Sequence, residues 1–123
     1  MFPRFLTASV FSVGLSITTF TLPVAARPEI ATGDQWLEGV SQDVCLSRVD
    51  AFIGELDVPS DEDDIERTGY FEDGVFRIFC YSGGPEASML LVFAAHNTQP
   101  EVATQFMRFA LQEIAQLETL ADN

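Results

Sequence analysis

The sequence predicts an α+β domain, a two-layer sandwich in which an N-terminal and a C-terminal helix cover one face of a three-stranded antiparallel sheet, in the order α-β-β-β-α. Three observations carry this. Apolar residues recur at helical spacing over 45–56 and again beyond Thr98. Between these stretches, short segments with period-two alternation are separated by Asp73-Gly74 and Gly83-Gly84-Pro85. A sheet built from hairpins has one apolar face, and two amphipathic helices cover it most economically.

Residues 1–26 are set apart from this domain. Arg4 gives a positive start, Phe5–Leu22 is mostly apolar, and Val24-Ala25-Ala26 places small residues where a signal peptidase reads them. The expectation is cleavage after Ala26 and an extracytoplasmic product, periplasmic or secreted. Seven Ser and Thr residues dilute the apolar run, and Gly14 and Pro23 interrupt it, which argues against a membrane anchor. No cysteine near the cleavage site offers a lipid attachment point. Residues 27–40 read as an irregular lead-in, with a short helical turn around Trp36 and Leu37, and 41–123 as a single domain.

The first helix starts at Ser41, a good N-cap, with Asp43 in the favourable first turn. Cys45, Val49, Phe52, Ile53 and Leu56 share one arc of it, the core face. The acidic segment 57–66 reads as an exposed linker, and Thr68–Glu72 as the first strand. The Asp73-Gly74 pair marks a two-residue hairpin turn, pairing 72 with 75 and 70 with 77. In the second strand, Val75–Ser82, Phe76, Ile78 and Cys80 point one way, and Val75, Arg77, Phe79 and Tyr81 the other. Ser88–Ala95 is the third strand. Thr98 and Glu101 form a capping box, with Pro100 in the first turn of a helix reaching about Leu120.

Cys45 and Cys80 are the only cysteines. An even count in a small exported domain reads as a disulfide, and both periodicities aim them at the same core. There is no Cys-x-x-Cys pair, so redox chemistry is not indicated.

Six basic residues, all arginine, face nineteen acidic ones, for a formal net charge of −13. Nucleic acid and anionic membrane surfaces repel such a chain, and no stable membrane insertion is expected after cleavage. Excess acid also serves solubility.

Candidate chemistry is sparse. Asp61, Asp63 and Glu72 match positions 1, 3 and 12 of a calcium-binding loop. Ile65 and Glu66, however, stand where that loop needs an oxygen ligand and a glycine. They remain candidates only for a loose Ca2+ site. His96 has no neighbouring ligand or catalytic motif, and pairing it with Ser82 or Ser88 lacks a nucleophile elbow; it reads as a loop or cap residue. Glu113 falls in the apolar stripe of the last helix, where a carboxylate must be paired or lifted clear; Arg48 and Arg77 are its possible partners. No cofactor is called for. Tyr70, Arg77, Phe79 and Tyr81 share the outer sheet face, which is a protein-interaction surface unless Trp36, the lead-in or the acidic segment covers it.

Val44-Cys45-Leu46-Ser47-Arg48, Phe79-Cys80-Tyr81 and Leu91-Val92-Phe93-Ala94-Ala95 together resemble small exported bacterial domains of uncharacterised function, cyanobacterial and proteobacterial ones especially. The resemblance covers roughly residues 41–118 and implies a signal peptide, paired cysteines and a small α+β fold, with no mechanism attached. The expected function is an exported non-enzymatic interaction or envelope accessory module, meeting an unidentified protein partner or a second copy. The alternative is a small-ligand or Ca2+-binding protein using the acidic loop 57–66.

Overall fold

The computed structural model describes residues 29–117; the expected signal peptide lies outside them, and the last helix ends at Gln116 with an extended Leu117 as its C-cap rather than near Leu120. Strand β1 (Ile30–Glu38) leads to helix α1 (Gln42–Leu56). Strands β2 (Ser60–Glu62), β3 (Glu66–Phe71), β4 (Gly74–Ser82) and β5 (Ala87–His96) follow, then helix α2 (Pro100–Gln116). The sheet is five-stranded in the order β1-β5-β4-β3-β2, antiparallel throughout. The three-stranded sheet and the α-β-β-β-α order are thus corrected to β-α-β-β-β-β-α.

Two strands account for the difference. The lead-in 27–40 is not irregular, because 30–38 pairs along its whole length with β5, Ile30 opposite Ala95 and Glu38 opposite Ala87. Its inward side chains include Ala31 and Gly33, which carry almost no apolar signal. They are small because α2 lies against them: a Cβ on Gly33 would come within 2.7 Å of Leu111 Cδ1. The acidic segment likewise contains β2, three exposed residues hydrogen-bonded to the edge of β3. Ladder pairing of the backbone, rather than side-chain burial, makes it a strand.

Helix α1 begins as its sequence dictates. The Ser41 hydroxyl accepts from the Val44 amide at 3.2 Å, and Asp57, in the left-handed conformation at φ 55°, ends the helix with its N–H donating to the Ile53 carbonyl. The helix carries the chain from one edge of the sheet to the other. Its buried side chains are Cys45, Arg48, Val49, Phe52 and Ile53. They meet Phe76, Ile78 and Cys80 of β4 and Leu90 and Val92 of β5, and both helices lie on this inner face. Cys45 and Cys80 form a disulfide in that core, 2.04 Å between sulfurs, with no exposed surface.

The β3–β4 turn sits one residue earlier than expected, which shifts the strand pairing by two. Glu72 and Asp73 are its central pair, with Glu72 at φ 36°, and Phe71 stands opposite Gly74, and Tyr70 opposite Val75. Gly74 belongs to the strand because the chain is crowded there: a Cβ would meet the Phe71 ring at 2.5 Å and the Ala95 carbonyl at 2.8 Å. A shift of two leaves every side chain on its original face.

Helix α2 starts at Pro100 without the Thr98–Glu101 capping box; Gln99 is the N-cap and makes no side-chain cap bond. His96 takes over instead, its Nδ1 accepting from the Thr98 and Gln99 amides at 3.2 and 3.0 Å. At the other end Arg48 reaches across from α1, donating to the Ile114 and Ala115 carbonyls at 3.4 and 3.1 Å. A cation at a helix C-terminus also opposes the helix dipole favourably. Glu113 is exposed, so it is lifted clear of the core rather than paired within it.

Candidate functional site

Because side chains alternate across a strand, filling the inner face with the core leaves a second set facing outward, and no described element covers them. On β4 these are Val75, Arg77, Phe79 and Tyr81; on β5 they are Met89, Leu91, Phe93 and Ala95, aligned by the register Val75–Ala95, Arg77–Phe93, Phe79–Leu91 and Tyr81–Met89. The result is an apolar stripe two strands wide, running the length of the sheet. Phe79 stacks on Tyr81 with ring centroids 5.7 Å apart and meets Phe93 edge-on at 5.8 Å. A shallow depression of about 350 Å³ opens between Ile30, Val75, Phe79 and Phe93.

Strand β1 adds to this face what the irregular reading of 27–40 missed. Ile30 is 68 % exposed and Trp36 49 %, and the Trp36 ring lies over Gly83, with its Nε1 donating to Glu38 at 2.8 Å. The order Ile30, Thr32, Asp34, Trp36, Glu38 in alternate positions was the available signal, masked by the small inward residues between them.

Of the residues singled out beforehand, Arg77, Phe79 and Tyr81 are neighbours on the stripe. Tyr70 is on the same face but opposite Val75, near the far end, and Arg77 separates it from the other two rings. Arg77 is held sideways, its Nε 2.7 Å from Glu66 Oε2 and 3.1 Å from Thr68 Oγ1.

Carboxylates flank the stripe on both sides. Asp34 and Glu38 are exposed on β1. Asp61, opposite Thr68, lines an acidic hollow of about 240 Å³ with Asp63 and Glu66 on the other side. Glu72 stays apart in the β3–β4 turn, so Asp61, Asp63 and Glu72 do not converge. Among the described residues, no group of three His, Cys, Asp or Glu side chains is arranged to hold a metal ion.

The serine–histidine arrangement also fails on geometry. Ser82 and Ser88 stand opposite one another at one end of the sheet, and His96 stands opposite Gly74 at the other. Ser88 is fully buried and donates to the Val40 carbonyl at 2.8 Å, which gives it a structural role. No described helix is long and apolar enough to cross a membrane. No family model, curated protein or solved structure matches the chain.

Proposed function

We propose that the protein is an exported, non-enzymatic interaction module whose outer sheet face docks a protein partner. The observation that carries this is the uncovered apolar stripe of β4 and β5, extended by Trp36 and Ile30. Patches of contiguous aromatic and aliphatic surface are unfavourable in water and mark interaction sites, and Trp, Tyr and Arg are the residue types that anchor interfaces. The buried disulfide fits an oxidising compartment outside the cytoplasm. With residues 1–26 acting as a removable signal, the product begins at Arg27 and belongs to the envelope or the medium. Intact mass of the exported protein, with and without reductant, tests both points.

Photo-crosslinking tests the docking face. A benzophenone side chain at Tyr81 yields a discrete adduct in the native envelope, and the same group at Asp43, exposed on α1, yields none. Adduct formation at both positions alike, or at neither, excludes the outer face as the interface. Phe79→Ser combined with Tyr81→Ser keeps the fold and abolishes the adduct formed from a benzophenone at Met89.

A further inference from the structure

We propose that the occupant of the outer face is a cationic amphipathic helix lying along β4 and β5, an inference that rests on the docking role just described and adds the partner's chemistry. Three features of the face select it.

The first is backbone satisfaction. The stripe lies at mid-sheet, where β5 is paired on both sides by β1 and β4, and β4 by β5 and β3. No free ladder of amides and carbonyls is offered there. An incoming segment must therefore satisfy its own backbone groups, which a helix does and an extended strand does not.

The second is shape. From Val75 to Tyr81 the stripe runs about 20 Å, at roughly 3.4 Å per residue, and two neighbouring strands with their side chains make it about 10 Å wide. A helix of about 14 residues matches both dimensions. The inner face of the same sheet already accepts helices in this way.

The third is charge. Asp34 and Glu38 border one side, and Asp61 and Asp63 the other, while Arg77, the one cation on the face among the described residues, is engaged by Glu66. A second copy would bring carboxylate rims together on a chain whose formal net charge is −13, which opposes face-to-face pairing. A helix with a leucine-like face and Lys or Arg along both flanks instead places opposite charges beside each rim. The Trp36, Tyr70 and Tyr81 rings at the ends give those cations aromatic faces as well.

The protein carries its own reporter, since Trp36 is the sole tryptophan and lies on this face. The full chain is titrated with a peptide of about 14 residues in which leucine forms one helical face and lysine the flanks. Two controls accompany it: the same peptide with glutamate for lysine, and a scrambled sequence of equal composition. The lysine peptide is expected to shift Trp36 emission saturably and to bind roughly tenfold more tightly than the scrambled one. The glutamate peptide should not bind. Asp34→Asn, Glu38→Gln, Asp61→Asn and Asp63→Asn together should weaken binding about fivefold with the melting temperature unchanged, and raising salt from about 50 to about 300 mM should do the same. Equal binding by the scrambled or glutamate peptide overturns the proposal, as does an unaffected quadruple variant. Sedimentation showing a dimer that the lysine peptide does not dissociate names a second copy as occupant; this ends the helix proposal and leaves the docking face standing. A Tyr81 adduct without lysine-peptide binding likewise ends the helix proposal and leaves the docking face standing.

Discussion

Arg67 on β3 donates from Nε to Asp50 Oδ1 on α1 at 2.7 Å, tying the first helix to the sheet. The same guanidinium donates to the Asp63 and Glu66 carbonyls at 2.7 and 3.0 Å, so one buried side chain joins α1, β3 and the loop after β2. Its hydrogen bond to Asp50, more than the accompanying charge attraction, raises the guanidinium pKa above its ordinary value and outweighs the opposing effect of burial. Its share of the stability is fully present below the unfolded value and is lost only as pH rises through the raised one. No transition in mildly alkaline solution belongs to this pair.

The two partners of this contact differ in consequence. Arg67→Leu strips donors from two backbone carbonyls and a carboxylate and should lower stability by about 2–4 kcal/mol. Asp50 is half exposed, and its pairing is weakened by solvent, so Asp50→Asn should cost under about 1 kcal/mol. Urea unfolding of both variants checks the order, and equal losses would show that the carbonyl contacts contribute nothing.

The disulfide links positions separated by 35 residues, and loop-closure entropy gives such a bond about 3–4 kcal/mol. Because both sulfurs are buried in the core, Cys45→Ala with Cys80→Ala also loses packing. A melting curve of the double variant that superimposes on wild type would remove the bond from the fold's supports.

Gly69 and Gly33 are both covered by side chains, but by different kinds. A Cβ on Gly69 would run into the Phe76 ring, itself stacked on Phe106 at 4.7 Å. A Cβ on Gly33 meets the ends of Met107 and Leu111, which can turn aside. Gly69→Ala should therefore cost about 2–3 kcal/mol and Gly33→Ala about 1 kcal/mol or less. Chemical denaturation of the two variants measures the difference.

His96 caps α2 through its ring nitrogen. His96→Ala should cost about 1 kcal/mol, and His96→Asn, whose side-chain oxygen can accept the same amides, should recover most of it. Faster amide exchange at Thr98 and Gln99 in the alanine variant alone is the local signature. Equal exchange in both would assign the effect to the contact of His96 with the Phe71 ring, 6.2 Å away.

Helix α1, strand β4 and the disulfide were legible in the sequence because their burial is written in large side chains at a regular period. Ser41, Val49, Phe52, Phe76 and Ile78 occupy the roles their spacing assigns. Strand β1 was not legible, because Ala31 and Gly33 are small, Leu37 is its one large apolar residue facing the core, and the conspicuous Trp36 faces out. The same omission hid half of the candidate site, including Ile30 and the Asp34–Glu38 rim. Strand β2 was illegible for the opposite reason: Ser60, Asp61 and Glu62 are all exposed and polar, and an edge strand held by ladder bonds leaves no apolar trace. Glu113 misled because the arc of α2 that meets the sheet is narrower than its apolar composition, with Phe109 itself 47 % exposed.

The pairing of β1 with β5 sets the order of assembly. A chain emerging N-terminus first delivers Ile30–Glu38 at the outset, yet the residues that hydrogen-bond to it, Ala87–Ala95, arrive only after β2, β3 and β4. The meander β2-β3-β4-β5 joins strands that are neighbours in sequence, whereas β1 reaches β5 only across α1, β2, β3 and β4, the costlier closure. The sheet is therefore completed only once β5 is available to β1, late in the chain.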